Sequence, residues 1–179
     1  MFTVRAARLH DKQKILALYK KVALKTGGLA RSEAEISDDY IQHFMDESAK
    51  TGIELVVVHP FNQDEIIAEM HGYKMIPKFF AHVISELTIA VDPDFHGRGV
   101  GHLLFTHFLE HITNHRPDIL RVELVTQESN SKAIQLYKRI GFETEGRFEN
   151  RIRNRDNKLE ADIPLFWINK NFIDPHPTN

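Results

Sequence analysis

Three glycines alternate at Gly97, Gly99 and Gly101 in the stretch AVDPDFHGRGVGHLL, after an apolar run and ahead of a helix-like one. Glycine lets backbone approach a ligand closely, and a helix N-terminus offers unpaired N–H groups with a partial positive charge. Together they suit an anion, phosphate above all. Two familiar phosphate turns do not fit. A Walker loop needs Lys-Ser/Thr after its last glycine, where this chain has His102-Leu103, and the dinucleotide fingerprint needs Gly-x-Gly-x-x-Gly, where it has Gly-x-Gly-x-Gly. The glycines alone equally allow a tight turn that holds nothing.

Other residues invite chemistry. His107, His111 and His115 recur at helical spacing, and HFLEH matches an inverted zinc-protease pattern. No distant ligand is assigned to them, and the same helix must bury Leu104, Phe105, Phe108 and Ile112, so the expectation is no metal. Arg147, Arg151, Arg153 and Arg155, with Lys158, suit an acceptor carboxylate or phosphate. Interleaved Glu149, Asp156 and Glu160 favour an ordinary solvated strand instead. Phe79 and Phe80 in IPKFFAH fit an acceptor mouth, core or a dimer contact equally well, so a homodimer is left open. Glu86, in the strand leading to the glycines, is a candidate base acting directly or through water.

The elements that must hold these residues are readable from period and punctuation. Phe2 to Arg8 alternates as a strand. Asp11 opens a helix stopped at Gly27-Gly28, and Ser37 or Asp38 caps a second that ends before Gly52. Ile53 to His59 and Ile66 to Met75 read as strands joined by PFNQDE, and Ser85 to Val91 as another. A helix runs from about Val100 to His115, a strand from Ile119 to Thr126, and a helix through ESNSKAIQLYKRIGF to Gly141. Arg147 onward alternates, turns at NRDNK, and returns with Leu159, Ala161, Ile163, Leu165 and Trp167 facing inward; 173–179 is a loose tail.

The glycine segment does not stand alone. About thirty residues on, NSKAIQLYKRIGF places Asn130 at a helix start and Tyr137 two turns later. Together the two segments resemble the GNAT superfamily of acetyl-CoA-dependent N-acetyltransferases. One matches its acyl-CoA motif, Ala90-Val91-Asp92-Pro93 followed by His96-Gly97-Arg98-Gly99-Val100-Gly101. The other matches Asn130, Ala133, Leu136, Tyr137, Gly141 and Phe142 of its Asn-x-x-Ala-x-x-Leu-Tyr-x-x-x-Gly-Phe segment. The resemblance is specific over roughly Ser85 to Phe142 and rests on element order elsewhere.

The resemblance implies a mixed α/β domain over 1–172: a mostly antiparallel sheet of six to seven strands, splayed at the cofactor site, with helices on both faces. It implies that the backbone of Ile89, Ala90 and Val91 pairs with the pantetheine arm. Gly97, Arg98, Gly99, Val100, Gly101 and His102 would cradle the diphosphate, and Asn130 would reach the arm. Tyr137 is implied as general acid toward the leaving thiolate. The family usually has Gln or Arg where this chain has His96, which should change affinity modestly because backbone N–H groups do the holding. Some members carry a glutamate on the next strand, at the position of Val125, so that base is absent and Glu86 remains the candidate. The implied activity is acetyl transfer to a primary amine of a small molecule or amino acid, entering between Thr26 to Ile36 and the last hairpin. Alternatives are acetylation of a protein N-terminus or lysine, and a non-catalytic acyl-CoA sensor.

Bulk properties set the outer bounds. The chain has 179 residues, 42% of them apolar, a net charge of −2 and no cysteine. It is long enough for one domain with a substantial core and too short for two ample ones. Without a basic patch or a long apolar run, nucleic acid and membrane are unexpected partners. Absent cysteine excludes disulfides and thiolate chemistry; with no signal-peptide pattern, the expected location is cytoplasmic.

Overall fold

A computed structural model of the chain describes residues 2–25 and 29–174. Gly27-Gly28, the start of the expected acceptor linker and most of the expected tail lie outside them. The element order is β1 (Thr3–Ala6), α1 (Lys12–Lys25), α2 (Asp38–Thr51), β2 (Ile53–His59), β3 (Asn62–Lys74), β4 (Val83–Val91), α3 (Val100–His115), β5 (Arg121–Gln127), α4 (Ser131–Ile140), β6 (Glu143–Thr144), β7 (Phe148–Arg153) and β8 (Leu159–Ile168). This is the expected mixed α/β fold with an eighth strand. That strand, β6, has only two residues and is too short to show a period.

The chain forms two compact units. The first comprises residues up to Tyr73 with Leu87–Phe108, and the second Lys74–Glu86 with residues from Leu109 on. Strand order is β1-β2-β3-β4 in the first and β4-β5-β8-β6 in the second, with β7 also on β8; β4 belongs to both. Pairing is antiparallel for β1–β2, β2–β3, β5–β8, β6–β8 and β7–β8, and parallel for β4–β5.

In the first unit the core gathers Ile15, Leu18, Tyr19 and Val22 of α1 with Ile41, Phe44 and Met45 of α2, Val56, Ile66 and Ala90. The spacing of the helical members is the one that put them on single faces. The N-cap of α2 is Ser37, whose hydroxyl accepts from the Tyr40 amide at 3.1 Å, satisfying a donor the helix leaves orphaned. Strand β3 begins four residues earlier than expected, because only Pro60 and Phe61 form the turn.

In the second unit Ile84, Ile112, Ile119, Val122 and Leu165 are fully buried. Asn169 follows β8 and is buried as well; its Nδ2 donates to the Ile119 carbonyl at 2.9 Å, fixing the chain as it leaves the sheet. The expected inward alternation of the returning strand holds for Ala161, Ile163 and Leu165 but fails for Leu159, which is exposed where the strand begins beside the turn. Between Phe148 and Ile152 the register shifts: β7 carries two more residues there than β8, and Asn150 among them has φ 53°.

Candidate active site

Strand β4 carries the irregularity that matters most. Its parallel pairing with β5 covers only Val83↔Arg121 and Ile84↔Val122. Two residues later Glu86 has φ 52°, a left-handed backbone inside a strand, with its carboxylate exposed. A non-glycine residue held there costs about 1–3 kcal/mol, and such strain gathers where a strand is re-aimed. Glu86 is therefore more than the flat strand carboxylate that alternation suggests, and nothing in its local sequence announces this.

Beyond Glu86, Leu87–Val91 leads to Asp92, whose amide donates to the Ile67 carbonyl of β3 at 2.8 Å. Asp92 Oδ1 accepts from the Asp94 amide at 3.0 Å, capping a 3₁₀ turn over Pro93–Phe95. His96 then folds back: its amide donates to Pro93 O at 3.2 Å and its Nε2 lies 3.0 Å from Val91 O. The residue that departs from the family's Gln or Arg thus braces the end of β4 rather than facing outward for a ligand. Gly97 and Gly99 follow at φ 74° and 79°, and Gly99 O accepts from the Leu103 amide at 2.9 Å to start α3. The first amides of such a helix have no intrahelical acceptor. A Cβ built on Gly97 or Gly99 would meet nothing within 4 Å, so this turn faces open space. Beside it an open groove of about 560 Å³ is lined by Phe2, Arg98, Gly99, His102, Leu103 and Thr106. The Arg98 guanidinium sits 5.1 Å from the Phe95 ring centroid. Glycines that need positive φ and leave room for a bulky anion fit the diphosphate that the resemblance implies.

The second motif is built differently. Asn130 is the N-cap residue of α4, and its Nδ2 lies 3.4 Å from Thr126 Oγ1. The helix ends on Gly141 at φ 109°, the Gly141 amide donating to Lys138 O and the Phe142 amide to Tyr137 O. These two bonds close the helix in a Schellman motif, whose residue after the glycine packs against the residue five before it. Here those residues are Phe142 and Tyr137, with ring centroids 6.1 Å apart. The Tyr-x-x-x-Gly-Phe spacing is thus the device that seats Tyr137. The tyrosine is only 7% exposed, and burial pushes its phenol up to about 12, so it is a protonated acid at any ordinary pH.

The remaining features singled out in the sequence are placed as follows. His107 Nδ1 lies 3.0 Å from Leu103 O on its own helix, and among the described residues no group of three or more His, Asp or Glu is placed to hold a metal. Arg147 is bonded to Glu128 and, at 2.6 Å, to Glu149, while Arg151 lies 3.8 Å from Asp162, so neighbouring carboxylates answer both guanidiniums. Val125, where some relatives keep a glutamate, is 47% exposed on β5. No helix among the described residues is long and apolar enough to cross a membrane.

One cluster escaped the sequence reading. Glu69 and His71, both buried on β3, meet Tyr19 of α1: the phenol donates to Glu69 Oε2 at 2.5 Å and His71 Nδ1 lies 3.1 Å from Glu69 Oε1. Phe44 stacks on the His71 ring at 3.9 Å. Glu54, opposite His71 in the β2–β3 register, has its carboxyl pushed up to about 9 by burial, then by the charges of Glu69 and Asp11, and its Oε1 lacks a hydrogen-bond partner. The available signal was a glutamate and a histidine two apart inside the apolar run IIAEMHGY, one face of a strand that ought to be greasy.

Comparison with known proteins decides the family. Residues 26–142 match the acetyltransferase (GNAT) family model. This chain belongs to the GNAT family. A curated relative, the [ribosomal protein bS18]-alanine N-acetyltransferase of Salmonella typhimurium, is 38% identical over 63 residues, which is 34% of this chain and 41% of that protein. Among solved structures, a GNAT-family acetyltransferase from Streptococcus pneumoniae superposes with a TM-score of 0.83 at 20% identity, covering 94% of this chain and 99% of that one. A phosphinothricin acetyltransferase from Sinorhizobium meliloti, solved in complex with acetyl-CoA, gives 0.81 at 16% identity, covering 99% and 93%.

Proposed function

We propose that this GNAT-family chain transfers an acetyl group from acetyl-CoA to a primary amine, with residues 1–172 acting as one catalytic domain. The observation that carries the reading is the turn ahead of α3, where Gly97 and Gly99 hold left-handed backbone over open space at a helix N-terminus. Acetyl-CoA, when bound, supplies an acetyl group activated as a thioester. The backbone amides from Gly97 to His102 hold its diphosphate. The backbone of Ile89, Ala90 and Val91 aligns the pantetheine arm, and a main-chain N–H there polarises the carbonyl that is attacked. Asn130 steadies the arm. Tyr137 Oη carries the proton destined for the departing sulfur, and Glu86 takes the proton released by the amine.

The acceptor we propose is a small amine or amino acid, supported by the full-length likeness to a phosphinothricin acetyltransferase. A second reading, acetylation of a protein's N-terminal alanine, is favoured by the 63-residue segment that is 38% identical to a ribosomal-protein-alanine N-acetyltransferase. A free-thiol release assay with acetyl-CoA decides between them. Turnover over a panel of amines and amino acids supports the first reading, and turnover only on peptides that begin with alanine supports the second. Stabilisation against heat by NAD but not by CoA would overturn both.

A further inference from the structure

The glycine turn is short, exposed and rich in backbone freedom, so something outside it must set where it starts. Asp92 is the junction. It is 3% exposed, yet every polar atom it has is engaged: its amide by Ile67 O, its carbonyl by the Phe95 amide at 2.9 Å, Oδ1 by the Asp94 amide at 3.0 Å, and Oδ2 by Lys21 Nζ at 2.6 Å. Three of these bonds come from β3 and the turn itself. The fourth comes from α1, fourteen residues of helix anchored in the core through Ile15, Leu18, Tyr19 and Val22. Lys21 Nζ also donates to Asp94 Oδ2 at 2.8 Å, while Lys25, one helical turn later, reaches only Asp94, at 3.4 Å. Burial works against the Lys21 ammonium, and its bonds to Asp92 and Asp94 outweigh that, holding its pKa above the ordinary lysine value.

We propose that Lys21 is a positioning residue for the cofactor turn: from α1 it clamps Asp92 and Asp94, and so sets the exit of β4 from which Gly97 to Gly101 are launched. The inference rests on the reading that this turn holds the diphosphate of acetyl-CoA. An exposed lysine pair would contribute almost nothing, but here the Asp92 carboxylate is 4% exposed, and a buried charge that loses its partner is costly. The structure relieves that cost by moving Asp92 toward water, and the 3₁₀ turn, His96 and the glycines move with it. Lys21 touches no reacting atom, so its removal should weaken cofactor binding and leave the chemical step alone.

The test uses the full chain and the variant Lys21→Met, which keeps the apolar stem and deletes the charge. Hydrogen exchange at the amides of Asp94, Phe95 and His96 should quicken about tenfold, and the Kd for acetyl-CoA should rise about tenfold, with kcat at saturating acetyl-CoA within about twofold. Lys21→Arg should restore most of both effects, and Lys25→Met should reproduce neither. Unchanged exchange at the turn overturns the clamp. So does a Lys21→Met protein whose apparent kcat falls while the KM for acetyl-CoA stays unchanged, because that pattern belongs to loss of folded enzyme. If the unmodified protein fails to bind acetyl-CoA, the cofactor reading falls, and exchange at the three amides still decides whether Lys21 sets the turn.

Discussion

The two motifs of this protein solve opposite problems. Around Gly97–Gly101 the proposed working parts are backbone amides; the side chains of His96, Arg98 and His102 are exposed, and the one that bonds firmly, His96, does so to its own strand. In α4 the backbone is scaffolding, and the proposed working part is a single buried phenol, Tyr137. Where backbone does the work, position and φ are fixed while side-chain identity is free to drift. Where a side chain does it, everything around serves that one group. On this reading a histidine at position 96 is tolerable in the turn, whereas no such latitude is expected at Tyr137.

The contrast can be broken by mutation. Tyr137→Phe should lower kcat by about 10²–10⁴, the usual worth of a general acid, with the Kd for acetyl-CoA within about twofold. Single-turnover thiol release separates the two, and a sensor without catalysis would show no loss. Since the phenol sits near 12, any alkaline fall in rate below about pH 10 must come from another group. Gly99→Ala should raise the Kd for acetyl-CoA about tenfold and cost about 1 kcal/mol of stability, because alanine resists φ 79°. His96→Gln and Arg98→Ala, in the same turn, should shift Kd by no more than about threefold. A large loss from either side chain, with a small one from Gly99→Ala, would reverse the comparison.

Burial acting on a side chain also leaves a mark on stability. Glu54 is raised to about 9 from 4.5, so the folded state keeps a proton that the unfolded chain releases. Its favourable contribution is complete below about pH 4.5 and is lost as pH rises toward 9, with a slope of at most about 1.4 kcal/mol per pH unit. Urea midpoints of Glu54→Gln and the unmodified protein should therefore converge near pH 4.5 and separate in favour of the glutamine as pH rises. The smallest effect is expected at Arg147→Ala: losing an exposed, solvent-screened ion pair with Glu128 should leave the urea midpoint almost where it was, and turnover should not change.

What could be read from residue order follows the same division. Caps and stops work locally, so Ser37, the glycine turn and the Gly141-Phe142 closure were all legible, and with them the order of helices and strands. The two-residue β6 has too few positions to show a period. The left-handed Glu86 and the bulge at Asn150 are imposed on ordinary polar residues by the neighbouring strands, so no local signal marks them. Glu69 and His71 were hidden by their setting, an apolar run read as uniformly greasy, although a partner fifty residues away satisfies them.

The division of the chain into two units has a consequence for heredity. The path crosses between them three times, after Tyr73, inside β4 after Glu86 and inside α3 after Phe108. Neither unit is one uninterrupted stretch, so no single insertion, deletion or exchange of a gene segment can gain or lose one of them whole. Because the first unit spans the chain up to Phe108 and the second from Lys74 on, any single crossover within the gene splits at least one of them between two parents.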